Sequence, residues 1–217
     1  MMKKFLISVT SVLLLLVSNA SFADEFSDGL SAIQHAWAVA NYEQEGKAQV
    51  EAFDELLSNT ESFQNNYADS AEAWVWKGIV ESSYAGAKGG LGALSLAKAA
   101  KTSFEQALKI NASALAGSAY TSLGTLYHKV PGWPIGFGSD KKAKEMLTKA
   151  LEINPDGIDA NYFYGEFLFD DGKYEEAEKY LLAAKAAAPR PMRPLADKYR
   201  HQEIEALMAK LNKKLKK

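Results

Sequence analysis

Residues 120–155 read YTSLGTLYHKVPGWPIGFGSDKKAKEMLTKALEINP, and this stretch decides the fold. Small and large apolar residues recur in it at helical spacing before a closing proline: Tyr120, Leu123, Gly124, Tyr127, Ala143, Leu147, Ala150 and Pro155. Glycine and alanine allow two helix backbones to approach closely, and the larger side chains fill the space between the turns. The stretch therefore predicts two packed helices that end at the proline.

The same pattern recurs on both sides of this stretch. Pro189 follows Pro155 by 34 residues, and the segment before it contains Gly165, Ala177, Leu181 and Ala184. An earlier segment contains Trp74, Gly78, Ala100, Phe104 and Ala107. Period and residue types resemble the tetratricopeptide repeat, whose template is W-x2-L-G-x2-Y, then A-x3-F and a proline over 34 residues. The resemblance implies an all-α, tetratricopeptide-like helical solenoid of about three to four helix pairs.

The rest of the chain also favours helices, because its apolar residues recur three and four positions apart. We expect seven or eight helices. The first two, within 26–40 and at about 47–65, lack the glycine and alanine spacing and are predicted to form a degenerate terminal repeat. Two later units exceed the template length, which predicts long loops at 86–90 and 130–138. Insertions on one face of a solenoid often serve binding.

The N-terminus resembles a secretory signal peptide. Residues 1–4 carry two lysines, 5–17 are apolar, and a small-residue segment ends at Ala23. The apolar run is shorter than the roughly 20 residues that a transmembrane helix needs, and an uncleaved anchor is the alternative. We therefore expect cleavage of 1–23 after Ala23 and a periplasmic mature chain without stable membrane insertion. That chain comprises a repeat domain, 24–194, and a basic C-terminal capping helix, 195–217.

Composition narrows the possible functions. The chain has no cysteine, which excludes disulfides and thiolate metal sites. Its formal net charge is −2, but from 190 to 217 there are nine Lys and Arg against three Asp and Glu. Such a segment suits an interaction tail or a solvated capping helix, and we favour the cap because basic residues complement helix C-termini. A secreted protein rarely meets nucleic acid, so nucleic acid is not an expected partner.

The sequence shows no constellation typical of catalysis or cofactor binding. His35, His128 and His201 lie in different units without metal-ligand spacing. The glycines between 86 and 92 lack both the third glycine of a dinucleotide motif and the Gly-Lys-Ser/Thr of a phosphate loop. Because no Ser/His/Asp set is apparent either, we expect no enzymatic activity, no cofactor and no metal.

The strongest candidate for function is the loop 130–138, VPGWPIGFG. It contains Trp133 and Phe137 on a backbone that two prolines stiffen, and rigid aromatic anchors lose little entropy on binding. We expect both rings to be exposed for a partner or a ligand. The alternative is that Trp133 folds back and plugs the groove between repeats. The sequence favours neither interpretation.

A second candidate surface is the concave face of the solenoid. In the tetratricopeptide template this face is lined by first-helix residues opposite the glycine and alanine seam. Transferred to this chain, the template predicts a mixed apolar, aromatic and polar lining: Val75, Ile79, Thr121, Thr125, His128, Tyr162, Glu166 and Phe169. This lining suits neither a polybasic clamp for peptide carboxylates nor a polar sugar site.

Two stretches carry a narrower resemblance. Residues 117–127, which run into the loop 130–138, and residues 154–167 are similar to the T-component family of TRAP transporters, and the loop is the most specific part. The resemblance implies a periplasmic all-α protein that associates with the solute-binding protein of the transporter and can self-associate. Some members of that family are lipoproteins. This chain has no cysteine, so a lipid tether does not carry over.

These observations support two functions. The first is a periplasmic tetratricopeptide-repeat scaffold that binds a partner protein, with the TRAP-type solute-binding protein as the expected partner and a homo-oligomer as a further expectation. The alternative is a carrier of a small apolar ligand, whose groove or channel, closed by the Trp133 loop, binds the solute directly. An enzyme ranks last, because nothing supplies a nucleophile, a metal or a tuned acid.

Overall fold

The computed structural model describes the backbone of residues 5–216 and the side chains of residues 24–90 and 92–216. The described backbone forms nine helices and no strand, whereas we expected seven or eight helices. In chain order they are α1 (Phe5–Tyr42), α2 (Gly46–Asn66), α3 (Ala71–Lys88), α4 (Gly90–Ile110), α5 (Ala114–Lys129), α6 (Asp140–Ile153), α7 (Ile158–Asp170), α8 (Tyr174–Ala186) and α9 (Pro194–Leu215). The chain is therefore all-α, as the sequence predicts.

The predicted signal peptide lies outside the residues whose side chains are described. Residues 1–4 are not described, and residues 5–23 are described only by their backbone, as the first part of α1. Cleavage after Ala23 stays a prediction. Within the described side chains, no helix combines the length and the hydrophobicity that crossing a bilayer requires.

Three helix pairs follow one packing rule, in which a glycine of the first helix faces a large apolar residue of the second. The pairs, with the distance from an added glycine Cβ to the nearest side-chain atom, are Gly78–Phe104 (2.5 Å), Gly124–Leu147 (2.7 Å) and Gly165–Leu181 (3.0 Å). Real Cβ atoms rarely approach other atoms so closely, so glycine is what allows these helices to pack. We call these three glycine contacts the seam. The predicted seam, and with it the tetratricopeptide-like solenoid, is confirmed.

One predicted loop is a tight junction between helices instead. α3 continues to Lys88 and α4 begins at Gly90, so the chain turns at Gly89, whose φ of 61° and ψ of −172° favour glycine. The extra residues of this unit lengthen the two helices to 18 and 21 residues. The expectation of a long loop at 86–90 was wrong because the surrounding alanines favour helix more than isolated glycines oppose it.

The last helix, α9, joins the two ends of the array. On one side Ile204 and Leu211 are buried in the main core formed with α4 to α8. On the other side Ala196 is buried in the cluster of α1 to α3, and Tyr199 stacks on Tyr42 of α1 with ring centroids 4.7 Å apart. The segment that we expected to be a solvated cap is thus a packed helix that closes the ring of helices around a partly open internal space.

Candidate functional site

The internal space is a cavity of about 1100 Å³, which is large enough for a drug-sized molecule. Its wall consists mainly of residues from α1, α3, α5 and α7 and of the segment that leads into α9. First helices of tetratricopeptide-type pairs lie on the concave side, and α9 bridges α7 to α1. The cavity therefore results from the superhelical closure of the whole array.

Five of the eight predicted concave residues line this cavity: Ile79, Thr121, Thr125, Tyr162 and Glu166. Ile79, Thr125 and Glu166 directly follow the three seam glycines, and each is half-buried. One step along a helix turns a side chain by roughly 100°, which moves it from the partner helix to the concave side. The residue after each seam glycine is thus a repeated cavity position.

His128 and Phe169 were wrongly predicted as concave residues. Both follow a seam glycine by four positions, one helical turn, so they face the second helix of the pair. His128 is within hydrogen-bond distance of Asp170 at 2.9 Å and Asp140 at 3.3 Å, and Phe169 packs on Tyr174 with ring centroids 5.6 Å apart. Despite the two carboxylates, the described side chains contain no group of three or more His, Asp or Glu residues that could hold a metal ion.

Val75 is the third residue that lies away from the cavity. Its side chain is fully buried in a small cluster with Ala107 and Ala119, where α3, α4 and α5 meet. Thr121 and Tyr162 also precede a seam glycine by three positions, yet they reach the cavity. The spacing from the glycine therefore does not by itself determine whether such a residue faces the cavity. Val75 is covered because the next helix pair packs against it.

A network of charges in the cavity wall, centred on Asp159 in the first turn of α7, was not predicted from the sequence. Its carboxylate accepts hydrogen bonds from Arg190 Nη1 at 2.5 Å and from Arg200 Nε at 2.9 Å. Burial alone would raise the pKa of Asp159, but the neighbouring arginines hold it well below its usual value. The network ties α7 to α9. Residues 189–194, PRPMRP, contain two of the arginines but had indicated only the end of a helix.

Arg193 also lines the cavity and is less well paired than its neighbours. Its Nη1 lies 3.8 Å from Asp159 Oδ2, an oxygen that already accepts from Arg190. Its guanidinium lies over the Trp76 ring, 5.1 Å from the centroid. Among the described side chains, the buried nitrogens without a hydrogen-bond partner are Arg193 Nε and Trp76 Nε1. Burial lowers the pKa of Arg193, because desolvation disfavours the cation and Asp159 compensates only in part.

The loop between α5 and α6 presents Trp133 to solvent. The side chains of Trp133 and Ile135 are 90% and 71% exposed. Hydrogen bonds close the base of the loop: the Gly138 N–H donates to the Pro131 carbonyl at 3.0 Å, and the next N–H along the chain donates to the Tyr127 carbonyl at 2.9 Å. The structure thus places Trp133 in solvent, and the alternative that it plugs the groove between repeats is wrong.

Phe137 was expected to be exposed and is not. Its ring packs edge-on against Tyr127, with ring centroids 5.8 Å apart, at the border of the main core. Packing against a core aromatic ring stabilises this side chain more than exposure to solvent would. Phe137 therefore anchors the loop. Among the described residues that line the cavity, none comes from 130–138. The expectation that the Trp133 loop closes the cavity was therefore also wrong.

Comparison with known proteins gives one family match. Residues 141–211, from α6 into α9, match the family model described as tetratricopeptide repeat. Such repeats use concave surfaces to bind other molecules and are typical of protein-interaction scaffolds. The comparison with curated proteins found no match. Together with the paired helices, the match supports a tetratricopeptide-like protein and does not extend to the narrower T-component family.

Proposed function

We propose that this protein is a periplasmic scaffold that binds a partner protein through the Trp133 loop. The observation that carries the proposal is the exposure of Trp133 and Ile135, 90% and 71%, on a loop whose base is fixed by hydrogen bonds. Neighbouring large apolar side chains on a fixed backbone form the kind of anchor that dominates protein interfaces. The tetratricopeptide match supports protein binding in general.

The backbone of the loop is held in one shape before any partner binds. A Cβ on Gly138 would overlap the Val130 carbonyl oxygen, and one on Gly136 would overlap the Pro131 carbonyl, so the chain packs against itself at both points. The Phe137 ring adds an anchor on the helical core. Because the loop is ordered on folding, little ordering entropy opposes its binding, and burial of the indole ring contributes directly to affinity.

The partner that we propose is the solute-binding protein of a TRAP-type transporter. Two observations support this choice: the resemblance of the 130–138 loop to the T-component family and the predicted signal peptide at 1–23, which would bring both proteins to the periplasm. Self-association through the same loop is the competing outcome. A measurement that detects both kinds of complex separates them.

The test is isothermal titration calorimetry of the purified protein with a TRAP-type solute-binding protein of the same organism. Trp133→Ala should weaken binding by about thirtyfold or more, which corresponds to about 2 kcal/mol for a lost aromatic anchor. Leu182→Ala is the matched control, because Leu182 is 50% exposed on α8 and should leave affinity unchanged. Equal losses in both variants, or full binding by Trp133→Ala, would refute the loop as the contact. Sedimentation velocity of the protein alone tests self-association.

A second candidate function is direct binding of a small ligand, and the cavity of about 1100 Å³ favours it. The wall is not uniformly apolar, as a carrier of an apolar solute would require, because Asp159, Arg193 and Glu203 contribute charged groups. Trp37 and Trp76 also line the cavity, so their fluorescence reports its occupation. Titration with apolar acids and alcohols tests this function, and unchanged emission with all of them would contradict it.

A further inference from the structure

We propose that the cavity binds a small organic acid, whose single carboxylate pairs with Arg193 beside Trp76 and whose apolar body lies along the inner faces of α3 and α5. The inference rests on the second candidate function, direct binding of a small ligand. It adds the chemical class of the ligand and the residue that recognises it. The Trp133 loop is not involved, because no described lining residue comes from it.

Three arginines line the cavity, and Arg193 is the one with spare hydrogen-bonding capacity. Arg190 pairs with Asp159 at 2.5 Å and with Asp197 at 2.6 Å. Arg200 pairs with Asp159 at 2.9 Å. Arg193 reaches the same carboxylate only at 3.8 Å, which is beyond hydrogen-bond distance. An anion that enters the cavity therefore forms its most favourable electrostatic and hydrogen-bond interactions beside Arg193.

The guanidinium of Arg193 matches one carboxylate. A guanidinium presents its N–H groups in a planar fork that suits the two oxygens of a carboxylate, and an indole N–H can only donate. In the part of the chain that the structure describes, Arg193 Nε and Trp76 Nε1 are the buried side-chain nitrogens without a partner. Both atoms are inaccessible to solvent, so a ligand carboxylate would meet Arg193 through its Nη groups, which form no hydrogen bond with Asp159. The contact between the guanidinium and the Trp76 ring, 5.1 Å to the centroid, holds the cation in place.

The charges of the wall limit the ligand to a single negative charge. The described lining residues comprise four basic side chains and four acidic ones: Lys129, Arg190, Arg193, Arg200, Asp156, Asp159, Glu166 and Glu203. Lys129 is already paired with Glu166 at 3.1 Å. A phosphate or a dicarboxylate would bring a second charge close to these carboxylates, where like charges repel. A monocarboxylate is therefore favoured.

The remaining wall suits an apolar ligand body. Trp37, Ile79, Leu115, Leu126 and Phe163 all line the cavity. Ligand sites typically combine such an apolar lining with a few polar groups that fix orientation. With Arg193 as the polar group, the arrangement fits a molecule that has a carboxylate at one end and a hydrocarbon or aromatic body at the other.

The experiment observes the indole N–H groups of the ¹⁵N-labelled purified protein by NMR, because the chain has four tryptophans, at 37, 74, 76 and 133. The probes are octanoate and 4-phenylbutyrate, and each is compared with its own amide, which keeps the body and lacks the charge. We expect both acids to shift the Trp76 resonance and to leave the Trp133 resonance in place. The amides should bind at least about tenfold more weakly, since they lose a charge-assisted hydrogen bond.

Two variants that each remove one positive charge distinguish a specific contact with Arg193 from the overall electrostatic effect of the cavity wall. Arg193→Gln should weaken octanoate binding by about tenfold or more and remove the difference between acid and amide. Lys129→Gln removes one charge from the same wall at a side chain already paired with Glu166, and should change affinity by less than about twofold. Arg193→Lys keeps the charge without the fork and should lie between them. If Arg193→Gln does not fold, the comparison of acid and amide in the unaltered protein decides.

The possible failures have different meanings. Equal binding of acids and amides would overturn carboxylate recognition and leave the carrier function intact. The absence of any shift of Trp37 and Trp76 with all four probes would overturn both. A hexapeptide with a free C-terminal carboxylate that bound more tightly than either acid would overturn the assignment to a small ligand. A shift confined to Trp133 would place the site on the loop and overturn it as well.

Discussion

Adding one methyl group at Gly124 tests the packing seam, because the change has opposite effects with and without Leu147. In the native protein the new Cβ would lie 2.7 Å from Leu147 Cγ and 3.1 Å from the Leu147 backbone nitrogen. Leu147 is fully buried, so it has little room to move. Such overpacking costs about 1–3 kcal/mol, and replacing glycine by alanine inside a helix returns about 1 kcal/mol. Gly124→Ala alone should therefore destabilise the protein by about 0–2 kcal/mol.

Leu147→Ala removes the side-chain contact, while the backbone nitrogen of residue 147 stays 3.1 Å from the new Cβ. Alone it should cost about 2–5 kcal/mol, because a fully buried leucine is truncated. In that background Gly124→Ala meets only this backbone contact, so its helix propensity should stabilise the protein by up to about 1 kcal/mol. The coupling energy between the two sites is then about 1–3 kcal/mol. For a chain of this size, each kcal/mol corresponds to a change in Tm of about 2–4 °C.

Urea unfolding of the four proteins, followed by circular dichroism, gives the complete cycle. Gly132→Ala is the matched control, since its added Cβ would meet its nearest neighbour, the Gly138 carbonyl oxygen, at 3.6 Å. That change should stay within about 0.5 kcal/mol in both backgrounds. An effect of Gly124→Ala that is the same with and without the leucine would refute the argument that these two residues form the seam.

Three further predictions concern other parts of the structure. Trp133→Ala should change the free energy of unfolding by less than about 0.5 kcal/mol, because the ring is in solvent. Trp76→Ala should lower it by about 3–5 kcal/mol, because the Trp76 ring is buried. Urea unfolding measures both. The pKa of Asp159 is lowered from 3.8, so its ion pairs stabilise the fold above that pH and are lost as the pH falls below it. In Asp159→Asn, the free energy of unfolding should therefore depend less on pH in the acidic range. Tyr199→Ala should lose the stack on Tyr42, worth about 0.5–1.5 kcal/mol, and accelerate amide hydrogen exchange in the first turns of α9; unchanged exchange would contradict the closure.

Helices α5 to α8 form two pairs at the seam glycines that the sequence indicates, Gly124 and Gly165. The reason is that each seam contact joins residues of a single helix pair, so a short motif contains both partners, as with Gly165 and Leu181. Local caps add to this: Ser139 accepts a hydrogen bond from the Lys142 N–H at 3.4 Å at the start of α6. The junction at Gly89 was misjudged because glycines in a row indicate a loop unless neighbouring alanines are weighed against them.

The cavity could not be predicted from local motifs, because its closure depends on the curvature of the whole array. Tyr42 and Tyr199 stack although they lie near opposite ends of the chain, and no motif connects them. Arg193 likewise meets Trp76 and Asp159, which belong to different helix pairs. The exposure of Trp133 was one of two interpretations left open, since a tryptophan between prolines suits an anchor and a plug equally well. The exposure of Trp133 in the structure decided between them.

The position after each seam glycine makes the cavity wall chemically asymmetric. Ile79, Thr125 and Glu166 occupy this position in successive helix pairs, so the inner wall changes from apolar on α3 through neutral and polar on α5 to acidic on α7. On α7 the Glu166 carboxylate is already paired with Lys129 at 3.1 Å. At the α3 end Arg193 lies over an aromatic ring and is only loosely paired. A monocarboxylate in this cavity is therefore expected to place its charged end beside Arg193 and Trp76 and its apolar body toward α5, away from Glu166.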